Sequence, residues 1–152
     1  MRNVIQRVNR ASVEVDGQIV GKIDRGILIY VGIERGDTEN EVAYVAEKIL
    51  NLRIFPDENQ KMNLSIKDIG GAILSISQFT LASYIKKGRR PDFTNAEDPV
   101  KAEALYEKFN QLLSQELKVE KGIFGAMMLI DSVNDGPVTF IIERKSGSNP
   151  AE

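Results

Sequence analysis

The run Gly26-Ile27-Leu28-Ile29-Tyr30-Val31-Gly32 constrains the fold more than any other segment. It is almost wholly apolar and bounded by glycines, which suits a strand buried on both faces. The flanking sequence offers material to cover it. Val4-Ile5-Gln6-Arg7-Val8 and Ser12-Val13-Glu14-Val15 alternate apolar and polar residues in the manner of half-buried strands. Asp16-Gly17 predicts a tight hairpin turn, with Gln18 to Ile23 as the return strand. Thr38-Glu39-Asn40-Glu41 has the form of a capping box, and Val42, Val45, Ala46 and Ile49 then fall on one helical face.

Arg53-Ile54-Phe55 reads as a short strand ended by Pro56, followed by a polar turn over Asp57 to Asn63. Gly70-Gly71 precedes a second buried strand, Ala72 to Phe79. Asp98-Pro99 opens a second helix, with proline in its first turn. Ala102, Leu105, Phe109, Leu112 and Leu113 line its apolar face, and Lys121-Gly122 breaks it. Ala126 to Val133 and Val138 to Ile142 predict two final strands around an Asn134–Pro137 turn. The order is ββ-β-α-β-β-α-ββ. It implies an α/β fold with mixed β-sheets, a three-layer α/β/β arrangement and two main helices. Residues 1–144 are expected to form a single domain, and the polar tail 145–152 to be disordered.

Composition limits the chemistry. The 152 residues include no histidine and no cysteine. The commonest general base and the commonest strong nucleophile are therefore missing. Disulfides and thiolate metal sites are impossible, and zinc and most transition-metal sites are disfavoured. No cofactor and no metal is expected. No apolar run approaches the roughly 20 residues that cross a bilayer, and Met1-Arg2-Asn3-Val4 is not followed by a signal-peptide core. The chain reads as cytoplasmic, with no membrane partner.

The net charge of -2 does not advertise a nucleic-acid binder, but its distribution is uneven. Lys86, Lys87, Arg89 and Arg90 crowd around Gly88, in a stretch from Ser83 to Asp98 that is long for a structureless loop. The plain reading is a solvated basic loop; the sharper one is a phosphate-binding edge.

Two short segments carry the remaining chemistry. Ser77-Gln78-Phe79-Thr80-Leu81-Ala82 ends an apolar run, so its polar groups sit at the carboxyl end of a strand, where ligands of α/β folds tend to bind. Ser77 and Thr80 offer hydroxyls, Gln78 an amide, and backbone N–H groups leaving the sheet can stabilise an oxyanion. Taken alone, the segment reads as a strand end and a capped turn. Asn134-Asp135-Gly136-Pro137-Val138-Thr139 consists of turn formers, and its plain reading is a hairpin turn. A Gly-Pro pair also exposes two carbonyls with almost no side chain in the way. Such an edge can grip an ammonium group and leave no room on one side of it.

Together, S-Q-F-T-L-A and N-D-G-P-V-T resemble the D-aminoacyl-tRNA deacylase family, over Met1 to about Glu143. Supporting segments are Ile5-Gln6-Arg7-Val8, Arg10-Ala11-Ser12-Val13, Arg53-Ile54-Phe55, Lys61-Met62-Asn63 and Arg90-Pro91 with Phe93. The chain departs from the family pattern at Asp92, where a small hydroxyl residue is expected.

The resemblance implies hydrolysis of the ester joining a D-amino acid, or mischarged glycine, to the 3′ end of tRNA, with L-aminoacyl-tRNA spared. It implies a homodimer with active sites at the subunit interface. There a cis Gly136-Pro137 pair reaches into the partner's pocket and holds the substrate's α-amino group. Ser77, Gln78, Phe79 and Thr80 become the catalytic segment. Phe79 packs on the terminal adenosine or, alternatively, in the core. Arg7 and Asn134 join the substrate-binding set; Arg7 either orients the Gly-Pro loop or is a surface strand arginine. Lys86, Lys87, Arg89 and Arg90 become tRNA contacts. Thr80 lacks an adjacent base, so attack by water, assisted by the ribose 2′-hydroxyl, is preferred over a threonine nucleophile. Rival readings are the same fold with a trans Gly-Pro bond admitting L-alanine, a non-catalytic tRNA- or partner-binding protein, and a hydrolase of unrelated esters or peptides.

Overall fold

The first strand runs unbroken through both alternating stretches near the N-terminus, which were expected as two strands. A computed structural model of the chain describes residues 1–86 and 88–148; Lys87 and residues 149–152 of the tail lie outside the described residues. The elements are β1 (Arg2–Val15), β2 (Gln18–Ile23), β3 (Gly26–Gly32), α1 (Glu39–Asn51), β4 (Phe55–Pro56), β5 (Met62–Leu64), β6 (Ala72–Ser77), a 3₁₀ turn (Phe79–Ala82), α2 (Pro99–Ser114), β7 (Val119–Lys121) and β8 (Leu129–Glu143).

The middle of β1 explains why its sequence looks like two strands. Asn3, Ile5 and Arg7 are buried in its first half. Val8 follows directly, and after the exposed Asn9 and Arg10 the buried set becomes Ala11, Val13 and Val15. Ile5 belongs to the core under the helices, whereas Val8, Ala11 and Val13 belong to a second core. The strand thus passes from one layer to the other where its alternation slips. Register shifts against β8 at Gln6/Val8 and Val8/Arg10 mark the same place, as expected of irregularities that bend a strand and increase its twist.

The first half of β1 pairs antiparallel with β3, and its second half pairs with β2. β3 is flanked on its other edge by β6, in parallel, and β7 extends β6, again in parallel. The sheet is therefore mixed. Ile27, Ile29 and Val31 of β3 face the helix-side core, and Leu28 faces the second one. This is the double burial that the apolar run demands.

Helix α1 begins at the expected capping box. The Thr38 hydroxyl accepts from the Asn40 N–H, and the Glu41 carboxylate accepts from both the N–H and the hydroxyl of Thr38. Val42, Val45, Ala46 and Ile49 are buried beneath it. Asp98 caps α2 through the Val100 and Lys101 N–H groups, and Leu105, Phe109 and Leu113 join the same core. The third layer is the far part of the same sheet folded over. Val8, Ala11 and Val13 of β1 and Ile23 of β2 meet Leu28, Leu74 and Ile76. Gly21 permits the closure, since a Cβ there would stand 2.9 Å from the Lys121 carbonyl oxygen. A separate ribbon, β4 with β5, tucks Phe55 into the helix-side core.

Further expectations need correction. β6 ends at Ser77 rather than Phe79. β7 is a strand that the sequence does not predict, because Val119-Glu120-Lys121 carries no strand pattern of its own. The last two strands are one, β8, which follows β1 along its whole length. Asn134–Pro137 is not a hairpin turn, because the chain on both sides of it pairs with the same neighbour. The described part of the tail, residues 145–148, closes a turn through the Ser148 N–H and the Lys145 carbonyl. No described helix is long and apolar enough to cross a membrane.

Glu97 ties the start of α2 to the loop after β3. It accepts from Lys101, from the Asp98 N–H and from the Gly36 N–H. These contacts, the Lys101 bond foremost, hold its carboxyl down to about 2 from its usual 4.5. The unfolded chain therefore binds a proton that the folded chain does not between these values. Stability falls as pH drops from about 4.5 toward 2. Urea midpoints measured across this range should show a shallower acid limb for Glu97→Gln. The Thr38→Ala variant should lose about 1 kcal/mol in the same assay near neutral pH.

Candidate active site

The Ser77–Ala82 segment leaves the sheet because β6 ends beside the end of β3. Ser77 is still paired with Val31, and the Gln78 N–H donates to the Val31 carbonyl at 2.8 Å. The chain then turns into a single 3₁₀ turn, closed by the Leu81 N–H on the Gln78 carbonyl and the Ser83 N–H on the Thr80 carbonyl. Such a turn leaves its first N–H groups without internal acceptors. Among the described residues, those of Phe79 and Thr80 meet none. The Gln78 amide donates to the Thr80 hydroxyl oxygen, which leaves the hydroxyl proton free to point elsewhere.

This segment lines a cavity of about 890 Å³. Its walls come from the Phe93–Pro99 stretch and from residues 124–128, with Arg35 at one side. Phe79 is 59% exposed and lies against Phe93, ring centroids 5.2 Å apart. It is not a core residue, so of the two expectations for Phe79 the packed-core one is set aside. The wall at residues 124–128 has no counterpart in the sequence pattern, from which Ala126–Met128 are expected in a strand. β8 begins only at Leu129, and Met127 is 91% exposed. Sequence offered one signal for it, a string of small and flexible residues, Gly125-Ala126-Met127-Met128, that packs poorly in a sheet.

The Asn134–Thr139 segment forms a bulge in β8. Gln6 lies opposite Thr139 and Val8 opposite Asn134, so Asp135 to Val138 must all be accommodated beside Arg7. Gly136 has φ +134, a conformation that L side chains rarely adopt, and a Cβ there would stand 2.6 Å from Val138 Cγ2. The Gly136-Pro137 bond is cis. Asn134 closes the base of the bulge, its side-chain Oδ1 accepting from the Val138 N–H and its Nδ2 donating to the Thr139 hydroxyl.

Arg7 holds the bulge from below. Its Nε donates to the Asp135 carbonyl at 3.1 Å and lies 3.3 Å from the Asp135 carboxylate. Its Nη1 donates to the Ile54 carbonyl at 2.7 Å. Arg7 is 9% exposed, which removes the surface-arginine alternative. The same residue thus links β1, the bulge and the segment leading into β4.

The structure does not bring the two motifs together within one chain. Neither Gly136 nor Pro137 lines the cavity of Ser77–Thr80. Lys86, Arg89 and Arg90 are exposed on a loop whose ends are clasped by Tyr84 and Asp92 through reciprocal backbone bonds. Lys87, expected beside them, lies outside the described residues. Asp92, the departure from the family pattern, accepts from the Thr94 N–H, which holds its carboxyl below the usual range. Among the described residues no group of three or more carboxylates is placed to hold a metal ion.

The profile of the D-Tyr-tRNA(Tyr) deacylase family matches residues 4–143. A D-aminoacyl-tRNA deacylase from Bacillus cytotoxicus is 59% identical over 95% of this chain and all of its own. One from Persephonella marina is 55% identical over 94% of this chain and 97% of its own. A solved structure described as a c-Myc DNA unwinding element binding protein superposes with TM-score 0.90 at 42% identity, covering 95% of this chain and 99% of that one. A probable eukaryotic D-amino acid tRNA deacylase shares the fold, with TM-score 0.78 at 18% identity over 93% of this chain and 97% of its own. The profile match and the identities across nearly the whole chain place it in one family: the chain belongs to the D-Tyr-tRNA(Tyr) deacylases.

Proposed function

We propose that this enzyme hydrolyses the ester of D-aminoacyl-tRNA and of glycine mischarged on tRNA, rejects L-aminoacyl-tRNA, and works in the cytoplasm as a homodimer. The observation that carries the reading is the cavity at Ser77–Thr80, which presents two backbone N–H groups without partners among the described residues, beside a hydroxyl and an exposed aromatic ring. Those N–H groups suit the oxyanion of a tetrahedral intermediate, and Phe79 suits the face of a terminal adenosine. The Gly136-Pro137 bulge lies outside the cavity of its own chain, so a second copy is the natural donor of that edge. Apolar side chains available for such an interface include Met127, Leu129 and Ile141, exposed at 91%, 69% and 67%.

In this reading the Gly136 and Pro137 carbonyls of one subunit receive the substrate's α-ammonium group in the other. An L side chain would run into the bulge, while a D side chain would point away from it. Selection then acts by exclusion rather than by tighter grip. Glycine has nothing to exclude. The chain has no histidine or cysteine, and Thr80 accepts a hydrogen bond from Gln78 rather than donating one to a base. Water is therefore the nucleophile, positioned by the segment and assisted by the substrate's 2′-hydroxyl. Ser77 borders the cavity at the end of β6 and Asn134 fixes the base of the bulge. Lys86, Arg89 and Arg90, with Lys87, meet phosphates of the tRNA.

Three measurements test this. Purified protein should release D-tyrosine from D-Tyr-tRNA rapidly and leave L-Tyr-tRNA intact; release of the L ester would refute the exclusion account, and release of neither would favour a binding protein. Thr80→Ala should keep turnover within about tenfold of wild type if the hydroxyl only positions substrate; a loss of three orders of magnitude or more with binding retained would restore it as a nucleophile. Arg7→Ala frees the bulge from the buried cation that holds it. It should lower kcat/KM for the D ester about tenfold, the equivalent of one lost charge-assisted hydrogen bond, and narrow the D-to-L ratio. Circular dichroism would separate this from unfolding.

A further inference from the structure

A second cavity, of about 690 Å³, lies beside the first and shares Arg35 with it. Its lining is of mixed charge. Glu34 and Asp37 face the buried α-ammonium of Met1, at 3.3 and 2.7 Å, and Glu143 is paired with Arg2. Met1 and Arg2 thus set two cations against three carboxylates, and one negative charge is left over. Arg35, Lys86 and Lys145 have no acidic partner among the described residues. Against the one carboxylate charge left over, the cavity offers these three cations, an excess of two positive charges to whatever enters it.

It also offers a stacking surface. The Tyr84 ring is 40% exposed, with Lys86 Nζ 5.4 Å from its centroid. Its backbone is fixed by the two hydrogen bonds to Asp92, so the ring sits on a clasped segment rather than a free tip. Cations that track phosphates, placed beside an aromatic face, are the components of a single-stranded nucleic-acid site. On the deacylase reading the terminal nucleotide occupies the first cavity. A chain entering that cavity must leave past its rim, and Arg35 stands on the rim common to both.

We propose that the second cavity is a subsite for the unpaired nucleotides that precede the terminal adenosine of tRNA, with Arg35 and Lys145 on phosphodiester groups and Tyr84 under a base. The assignment rests on the deacylase reading of the first cavity and extends it. Its ligand is single-stranded RNA with a free 3′ end. Recognition there is of backbone and base face, so it serves tRNAs of any identity, because phosphate contacts carry no sequence information.

The test is the binding of two uncharged probes, adenosine and the ribotrinucleotide CCA, to the full-length protein. Wild type should bind CCA more tightly than adenosine, with an affinity that falls as salt rises. Lys145→Glu and Tyr84→Ala alter only the second cavity's lining. Each should reduce the preference for CCA over adenosine about tenfold, and Lys145→Ala should lower the salt slope by about one. Unchanged CCA binding in both variants would overturn the subsite, as would an equal loss for adenosine and CCA. Hydrolysis of D-Tyr-tRNA by wild type is scored separately. If CCA binds through these residues yet no D-tyrosine is released, the deacylase reading falls and the RNA subsite stands.

Discussion

The register of β1 against β8 is the constraint on which the rest depends. On both sides of Arg7 the ladder is locked, because the residues facing the two cores admit no slip without turning apolar side chains to water. The two locked halves disagree in their count. β8 has Asp135 to Val138 to place where β1 has Arg7 alone. The surplus can only leave the sheet, which is why glycine and proline, poor residues inside a ladder, are found there. The same irregularity turns β1 from the helix-side layer into the folded-over one. The layered core and the projecting edge arise at one place, where a surplus on β8 beside Arg7 is followed by an unpaired Asn9 on β1.

Arg7 completes this arrangement at a cost. A cation that is only 9% exposed loses most of its hydration. Two carbonyls and one carboxylate replace it, with the Asp135 carboxylate at 3.3 Å and the Ile54 carbonyl at 2.7 Å. Because these partners lie on different segments, the guanidinium fixes the bulge relative to the chain leading into β4. Asn134 does the same from the other side through Val138 and Thr139. The edge is therefore held by groups whose own positions are set by the core.

Much of this was legible in the sequence, and the failures share a cause. The apolar run at β3, the capping box of α1, the Asp-Pro start of α2 and the Asp16-Gly17 turn are determined by local chemistry, and all appear as expected. What could not be read was fixed by neighbours. Val119-Glu120-Lys121 is a strand only because β6 offers it a parallel edge. Asn134-Asp135-Gly136-Pro137 has the same composition whether it reverses a hairpin or leaves a continuing strand, because both demand positive φ and small residues. Only pairing with β1 on both sides distinguishes them. The family resemblance pointed to the two motifs but not to the cavity wall at residues 124–128 or to Arg35. Neither has a local signature.

On the proposed reading, the use of backbone rather than side chains for both oxyanion and ammonium follows from the selection problem. A flexible side chain offers a clash that a substrate can push aside, so it discriminates weakly between mirror images. A backbone edge braced by Arg7 and Asn134 cannot yield by an ångström without disturbing the ladder that holds it. Exclusion can therefore be strong even though nothing in the site reads the amino acid's side chain. The N–H groups at Phe79 and Thr80 are positioned in the same way, by a strand end bonded to Val31. A site built from two fixed backbone segments needs no histidine to be selective. Its chemistry is then limited to esters reactive enough to yield to positioning and oxyanion stabilisation alone, which is the reactivity of an amino acid joined to a ribose hydroxyl.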